Sequence, residues 1–180
     1  MSNIVAIVGR PNVGKSTLFN RLTESRQAIT DEVSGVTRDR HYGKSEWGGI
    51  EFSVIDTGGY ITGSEDIYEG EIRKQVELAI DEANVILFIV DAKVGITEMD
   101  TAVVQLLRKT AKKTLVVANK TDNSTLLEEA VEFYNLGMGD YFPISSMTGS
   151  GTGDLLDELI LHFEKDSDKE EMDLPKFAIV

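Results

Sequence analysis

The sequence has 180 residues, of which 41% are hydrophobic, and this size and composition suit one domain of ordinary length with a buried core. Its 31 acidic and 18 basic residues give a formal net charge of −13, which disfavours direct binding to DNA, or to RNA, through a broad positive field. Cysteine is absent, so disulfides, thiolate metal sites and cysteine nucleophiles are excluded.

Short apolar runs alternate with segments of helical periodicity along the chain. Six segments have the length and residue types of strands: residues 4–8, 41–47, 50–56, 85–90, 115–118 and 141–144. Helical periodicity follows Lys15 and recurs in residues 72–83, 97–107, 124–135 and 155–163. Gly48 and Gly49 predict a hairpin turn between the second and third strands. The pattern predicts a three-layer α/β fold with a mostly parallel six-stranded sheet and one antiparallel edge strand.

No apolar run approaches the roughly 20 residues that span a bilayer, since the longest covers only residues 85–90. The first residues also lack the basic and apolar regions of a secretory signal. The sequence therefore predicts a soluble, cytoplasmic protein without membrane contact.

The composition changes towards the end of the chain. Residues 164–173 contain six acids and two lysines, which predicts a solvated linker or tail. The tripeptide at residues 178–180 repeats the one at residues 6–8, either by coincidence or because a second, similar unit begins there. The second interpretation divides the chain into a domain, an acidic linker and the first strand of a further domain: residues 1–164, 165–174 and 175–180.

Residues 9–16 match the phosphate-binding pattern G-x-x-x-x-G-K-[ST] and lie between a predicted strand and a predicted helix. Such a loop surrounds phosphates with backbone N–H groups, and the following helix presents its positive end to them. Lys15 supplies a charge for the outer phosphates, and the Ser16 hydroxyl is a magnesium ligand. The alternative is an ordinary glycine-rich turn. The predicted phosphate-binding residues are Gly9, Arg10, Pro11, Asn12, Val13, Gly14, Lys15, Ser16 and Thr17.

A second motif, Asp56-Thr57-Gly58-Gly59, follows the third predicted strand. A carboxylate at the end of that strand can reach magnesium through a water molecule, and the N–H of Gly59 can approach a terminal phosphate. The D-x-x-G pattern alone is weak, because Asp-Gly turns are common. Its place after a phosphate loop and a hairpin strengthens the prediction.

A third motif, Asn119-Lys120-Thr121-Asp122, follows the fifth predicted strand. The Asp122 carboxylate can accept hydrogen bonds from the N1–H and the 2-amino group of guanine, whereas adenine would leave it unpaired. Such a mismatch is worth roughly 10⁴-fold in discrimination, which argues against an ATP-using enzyme. A fourth segment, Ser145-Ser146-Met147, can add a backbone N–H to the guanine O6. The alternative for these motifs is plain surface loop.

Taken together and in this order, the motifs resemble those of the translation-factor-related class of P-loop GTPases over about residues 3–164. The phosphate loop, Gly-Val-Thr-Arg-Asp-Arg at residues 35–40 and Asp-Thr-Gly-Gly narrow the resemblance to the TrmE–Era–EngA class, and within it to the EngA/Der family. This implies a P-loop G domain that binds and hydrolyses GTP with Mg²⁺. It also implies partners for the full-length protein, namely the large ribosomal subunit and a second G domain of the same chain.

Two choices rest on the resemblance. From the sequence alone, Thr30 and Thr37 are competing candidates for the second protein ligand of magnesium, and the family pattern favours Thr37. The family pattern also implies that Asn12 binds potassium beside the phosphates, where the ion neutralises charge that develops in the transition state. The alternative for Asn12 is a side chain that only stiffens the loop.

The residue after the second motif is Tyr60, where many GTPases carry a glutamine that orients the attacking water. The water-positioning group is therefore open. Glu69 and Glu71 are candidates by proximity in sequence, although both also suit a solvated helix face. Slow basal hydrolysis is expected, accelerated by potassium or by a partner.

The predicted function is a GTP-hydrolysing switch, with segments 27–38 and 56–71 ordering around the γ-phosphate. The alternative is a nucleotide-gated binding module with negligible hydrolysis. The predicted catalytic residues are Lys15, Asn12 through potassium, Thr37, Gly59 and Glu69.

Overall fold

The computed structural model describes residues 3–23, 41–60 and 65–163. Several of the predictions fall elsewhere in the chain. Thr30 and Thr37, the acidic linker and the apolar residues after it all lie outside the described residues.

A six-stranded sheet forms the middle layer. Its strands are β1 (Asn3–Val8), β2 (His41–Trp47), β3 (Ile50–Asp56), β4 (Val85–Asp91), β5 (Lys113–Asn119) and β6 (Tyr141–Pro143). They lie in the order β2-β3-β1-β4-β5-β6. Only β2 runs antiparallel, at the edge beside β3, and the other neighbours pair in parallel. The predicted fold class is confirmed.

Helices cover the two faces of the sheet. They are α1 (Lys15–Thr23), α2 (Glu65–Glu82), α3 (Glu98–Leu107), α4 (Ser124–Glu129) and α5 (Thr152–Leu161), with 3₁₀ segments at Thr57–Tyr60 and Ala130–Leu136. None of the helices within residues 3–23, 41–60 and 65–163 has the length and apolar character needed to cross a membrane.

Two separate apolar cores result, because strand side chains alternate between the faces. On β1, Val5 and Ile7 face the core that α1 and α5 cover, whereas Ala6 and Val8 face the core covered by α2 and α3. Every residue of β4 is buried, as expected for a parallel strand with helices on both sides. The continuous apolar runs of the sequence are explained by this double cover.

The predicted hairpin turn is confirmed in detail, and α3 begins with a local capping motif. The hairpin pairs Trp47 with Ile50 across Gly48 and Gly49, whose φ angles are 58° and 80°, as a two-residue turn with positive φ at both positions requires. At the start of α3, Thr97 accepts from the Asp100 N–H while the Thr97 N–H donates to the Asp100 carboxylate, forming a capping box.

One prediction is wrong in part. The periodicity over residues 124–135 predicts a single helix, but α4 ends at Glu129 and a 3₁₀ segment continues to Leu136. The buried residues there are Ala130, Phe133 and Leu136, and a spacing of three matches the repeat of a 3₁₀ helix. The core contacts of this segment therefore decide its winding.

The sheet brings the motifs together. Pairing sets Ile7 of β1 opposite Asp56 of β3, and Asp91 of β4 opposite Asn119 of β5. Because these strands are parallel, the loops that follow them all leave the sheet at its carboxyl edge, where ligands bind in open α/β sheets.

Candidate functional site

A cavity of about 530 Å³ opens at this carboxyl edge. The phosphate-loop residues form most of its wall, and it is lined by Pro11, Asn12, Gly14, Lys15, Ser16, Thr17, Gly58 and Lys120. The first and third sequence motifs thus meet in one cavity, with a glycine of the second motif beside them.

The phosphate loop curls tightly because glycine occupies its two most crowded positions. A Cβ atom at Gly9 would lie 2.6 Å from the carbonyl oxygen of Ile89, and one at Gly14 would collide with the Asn119 side chain. Asn12, between them, has a φ of 65°, a left-handed conformation that asparagine tolerates better than most residues. The loop can therefore lie directly against the ends of β4 and β5.

Lys15 is buried beneath the loop, with 6% of its surface exposed. Its Nζ donates to the carbonyl oxygens of Gly9 and Arg10, both at 2.8 Å. Burial lowers the pKa of Lys15 from 10.5 to about 8, Asp56 opposes that shift, and Arg10 adds to it. A cation with so little solvation is ready to be stabilised by an anion.

The Ser16 hydroxyl donates to the Asp56 carboxylate over 2.9 Å, and the second carboxylate oxygen accepts from the Gly58 N–H at 2.8 Å. Asp56 is almost fully buried, with 3% of its surface exposed. A hydroxyl and a carboxylate side by side offer the hard oxygen ligands that Mg²⁺ prefers. These residues therefore fit magnesium.

The second motif continues as the 3₁₀ segment Thr57–Tyr60. The Thr57 hydroxyl donates to the Ile7 backbone carbonyl at 2.6 Å and lies 3.4 Å from the side-chain oxygen of Gln75, so this side chain anchors the segment to β1 and α2. Gly59 and Tyr60 end the segment, and Glu69 and Glu71 lie in α2. Only the backbone of these last four residues belongs to the described part of the chain.

Asn119 joins the two ends of the site. Its side-chain N–H donates to the Val13 carbonyl at 2.8 Å, and its side-chain oxygen accepts from the Ser146 N–H at 2.9 Å. The side chain is almost fully buried, so both bonds are made away from competing water. The phosphate loop and residues 145–147 are thereby held by one amide.

The Lys120 side chain connects the phosphate loop to the end of β4. Its Nζ donates to the Asn12 carbonyl at 2.7 Å and to the Asp91 carboxylate at 2.6 Å. Its φ is 69°, which turns the chain sharply after β5. Thr121 then fixes the turn through its N–H and its hydroxyl, at 3.0 Å and 2.8 Å from the Ile144 carbonyl.

Asp122 lies at the outer end of the site. One carboxylate oxygen accepts from the Ser145 hydroxyl at 2.7 Å, and the other lies 2.9 Å from Lys93 Nζ. Hydrogen bonds from Lys93 and then from Ser145 lower the pKa of Asp122 below its usual value. The hydrogen bond with Asp122 in turn raises the pKa of Lys93. The carboxylate is thus held ionised and accessible, as an acceptor of two N–H groups must be.

Not every predicted residue turns towards the cavity. The Arg10 side chain extends to α3, where its Nε lies 3.4 Å from the buried Asp100 carboxylate. The guanidinium of Arg10 therefore contacts the start of α3, and it is the backbone carbonyl of Arg10 that takes part in the loop.

Sequence reasoning missed three residues of the site. Asp91 binds Lys120, Lys93 binds Asp122, and Arg21 donates to the carbonyls of Ser146 and Met147. Asp91 had a usable signal, because it ends a strand at the carboxyl edge just as Asp56 does. Nothing in the local sequence distinguishes Arg21 or Lys93 from other surface cations.

Comparison with known proteins gives a consistent result. A family model described as "50S ribosome-binding GTPase" matches residues 4–120. GTPase Der of Flavobacterium psychrophilum is 66% identical over 182 residues, which cover 100% of this chain and 42% of the relative. GTPase Der of Bacteroides thetaiotaomicron is 59% identical, covering 100% of this chain and 41% of the relative. The chain thus spans about two fifths of the length of these curated relatives.

Solved structures of similar fold include two of Era. One, from Aquifex aeolicus, is a variant bound to GDP and AlF4⁻; it has 28% identity and a TM-score of 0.70, and covers 97% of this chain and 62% of that chain. The other is bound to MgGDPNP and a segment of 16S ribosomal RNA, with 29% identity, a TM-score of 0.69 and the same coverage of both chains.

Proposed function

Because the chain belongs to the family of 50S ribosome-binding GTPases and, within it, to the Der (EngA) group, we propose that it is a GTP-binding and GTP-hydrolysing switch domain. One observation carries the proposal. Asn119 bonds both to the phosphate loop and to Ser146, which supports a single site that combines the proposed phosphate-binding and guanine-binding motifs.

Recognition of the phosphates falls to the loop and to Lys15. In the structure Lys15 Nζ donates to two loop carbonyls. A phosphate oxygen at the cavity offers this cation a stronger partner than a carbonyl, because it carries a negative charge and attracts the ammonium strongly in a poorly solvated site. The N–H groups of the loop and the first turn of α1 complete the cradle.

Magnesium, when bound, neutralises charge on the outer phosphates. The residues proposed to hold it are Ser16 and Thr37 directly and Asp56 through water. The bond between Ser16 and Asp56 supports the first and third assignments, because it keeps both oxygens at one place. Thr37 rests on the sequence resemblance alone.

Selection of guanine is assigned to Asp122. Its carboxylate is kept ionised by Lys93 and Ser145 and is open enough to accept the N1–H and 2-amino groups. Guanine N–H donors would take the place of Lys93 on one of its oxygens. The O6 carbonyl would be met by a backbone N–H of residues 145–147, and Lys120 would lie along the base.

Catalysis is proposed to depend on positioning and charge stabilisation rather than on a general base. The groups assigned to it are Lys15, the Gly59 N–H, Thr37 and Asn12, the last through a potassium ion that would add positive charge beside the phosphates. Asn12 lines the cavity, which supports this placement. With Tyr60 after the second motif, Glu69 stays a candidate for orienting water, and slow basal hydrolysis is expected.

The proposed partner of the full-length protein is the large ribosomal subunit, whose assembly it would serve. The family description supports a ribosomal role. The charge of −13 supports a division of labour in which RNA is contacted by other parts of the full-length protein, since a strongly acidic surface repels RNA phosphates.

Single-turnover hydrolysis of GTP, measured in potassium and in sodium at equal ionic strength, tests the proposal. The expected result is cleavage in both ions and faster cleavage in potassium. Asn12→Ala should lose the difference between the ions, whereas Asn135→Ala, at an exposed site far from the cavity, should keep it. Equal cleavage rates in potassium and in sodium would contradict the proposed role of potassium at Asn12.

If no cleavage is detected in either ion although GDP binds, the proposed enzyme is contradicted and the alternative, a nucleotide-gated binding module, is favoured. Competition for a labelled guanine nucleotide tests the base. GTP should displace it and ATP should not, and equal displacement by the two would contradict the assignment of Asp122.

A further inference from the structure

Arg21, in the last turn of α1, joins that helix to the loop after β6. Its Nε donates to the Ser146 carbonyl at 2.5 Å, and one of its terminal nitrogens donates to the Met147 carbonyl at 2.6 Å. The loop leaves room for the guanidinium, because a Cβ atom at Gly149 would lie 2.8 Å from the other terminal nitrogen. Two consecutive carbonyls are thus turned towards α1.

The other N–H groups of this loop have acceptors. Those of Ser145 and Gly149 donate to the carbonyls of Ser150 and Ser145, at 2.9 Å and 2.7 Å. Those of Ser146 and Thr148 donate to the side chains of Asn119 and Ser145, at 2.9 Å and 3.3 Å. Among residues 145–149 as the structure describes them, the Met147 N–H alone has no acceptor within the chain, and Met147 is 79% exposed.

The geometry of the peptide bond connects these two observations. In a planar trans peptide the carbonyl of one residue and the N–H of the next point in opposite directions. Arg21 turns the Ser146 carbonyl towards α1, so it also turns the Met147 N–H away from α1. The same loop also reaches the base end of the site, since Ser145, two residues before Met147, donates to the Asp122 carboxylate.

We propose that Arg21 is a positioning residue for base recognition: it fixes the peptide between Ser146 and Met147 so that the Met147 N–H donates to the O6 carbonyl of guanine. The inference rests on the proposed function and adds to it a specificity-determining residue on α1. A fixed donor at this position suits a carbonyl and opposes the 6-amino group of adenine, which is itself a donor. Two contacts would then select guanine. Asp122 would accept from N1–H and the 2-amino group, and the Met147 N–H, oriented by Arg21, would donate to O6.

Three nucleotides test the proposal, because they differ at one edge of the base at a time. GDP has all the groups, IDP lacks the 2-amino group but keeps O6, and 6-thio-GDP keeps the amino group but has a sulfur, a weak acceptor, in place of O6. Dissociation constants for all three are measured with the wild-type chain, Arg21→Met, Arg21→Lys and Arg108→Met. The last is the matched control, since Arg108 also donates to a carbonyl, that of Leu136 at 2.6 Å, but away from the site.

Arg21→Met should weaken GDP and IDP alike by about three- to tenfold, the range of one ordinary hydrogen bond. It should weaken 6-thio-GDP by less than twofold, because the contact it impairs is already poor in that ligand. Arg21→Lys, which keeps one donor nitrogen where arginine uses two, should lie between the wild type and Arg21→Met. Arg108→Met should leave the ranking of the three nucleotides unchanged.

Equal weakening of all three nucleotides by Arg21→Met would overturn the inference, since it would show a general structural role. No weakening of any of them would overturn it as well. If Arg21→Met does not fold, the comparison of GDP with 6-thio-GDP in Arg21→Lys decides in the same way. Failure of the wild-type chain to bind GDP would instead overturn the proposed function itself.

Discussion

The two ends of the candidate site handle charge in opposite ways. At the phosphate end, Lys15 and Asp56 are 6% and 3% exposed, and their charges are satisfied by carbonyls, a hydroxyl and a backbone N–H. At the base end, the side chains of Lys93 and Asp122 are 52% and 36% exposed and form an ion pair in contact with solvent. Electrostatic interactions are much stronger in the first environment than in the second.

The difference separates two tasks. Buried charges at the phosphate end suit tight binding of any nucleotide phosphate, since a poorly hydrated cation gains most from an anion. The base end contributes little through charge and acts through the direction of its donors and acceptors, which is how a site tells similar ligands apart. We therefore expect affinity to depend mainly on one end and base preference on the other.

The largest expected effect is on base preference. Asp122→Asn should reduce the preference for guanine over xanthine nucleotides by up to roughly 10⁴-fold, because an amide cannot accept from both N1–H and the 2-amino group. It should favour xanthine nucleotides, whose 2-carbonyl accepts from the new amide. Competition of labelled GDP and XDP measures the shift, with the exposed Asp140→Asn as control. A retained preference for guanine would break the proposed division of tasks.

Next in size is an effect on stability behind the phosphate end. Asp100 is fully buried, caps α3 and faces Arg10, so Asp100→Ala leaves a buried guanidinium without its partner. We expect a loss of about 3 kcal/mol in the free energy of unfolding, roughly a hundredfold in the equilibrium. Urea denaturation measures it.

The control for Asp100 is Glu98→Ala, an exposed acid in the same first turn, which should cost less than about 1 kcal/mol. The preference of the folded Asp100→Ala variant for GDP over ADP should be unchanged. Equal costs for the two variants, or an altered base preference, would contradict the separation of the two ends.

A smaller effect follows from the pKa of Lys15, lowered by burial from 10.5 to about 8. Above about pH 8 the folded, nucleotide-free chain loses this proton while the unfolded chain keeps it. Since the unfolded state then binds more protons, the contribution of Lys15 to the free energy of unfolding should rise with pH, by up to about 1.4 kcal/mol per unit. Nucleotide affinity should fall over the same interval, because phosphates favour charged Lys15.

Urea denaturation between about pH 8 and about pH 10 checks this prediction. Lys15→Met should lack the rise that the wild type shows, and Lys109→Met, at an exposed position, should retain it. A slope of equal size in the wild type and in Lys15→Met would mean that other groups dominate the pH dependence and that the lysine is better solvated than the structure indicates.

The smallest expected effect concerns Lys93. Its ammonium occupies a carboxylate oxygen of Asp122 that guanine would need, so Lys93→Met should strengthen GDP binding, by about two- to fivefold, the range for an exposed ion pair. The effect should shrink at high salt. Lys109→Met serves as control. Weaker binding by Lys93→Met would show that the lysine assists the base contact.

Most of the fold could be predicted because its signals are local. The turn at Gly48 and Gly49 and the capping box of Thr97 and Asp100 are written in neighbouring residues, and the double cover of β4 is visible as an unbroken apolar run. The 3₁₀ winding after Glu129 could not be predicted. It depends on which side chains reach the core formed with α3 and β5, and that is a property of the packed structure.

The same distinction applies to the site. The phosphate loop and the Asn119–Asp122 motif are short runs with characteristic residues, so their place at the carboxyl edge of the sheet could be predicted. Arg21 and Lys93 contact residues 125 and 29 positions away, respectively. No local sequence pattern predicts such contacts. The contact of the Arg10 side chain with Asp100 could not be predicted either, because these two residues are also far apart in sequence.

Although the two ends differ in chemistry, the Asn119 amide makes them mechanically one unit. It is bonded at once to Val13 and to Ser146, so a displacement of either loop strains the other. Substitutions that displace the two loops should therefore show coupled rather than additive effects on nucleotide affinity. Removal of this one amide would let the two loops respond separately.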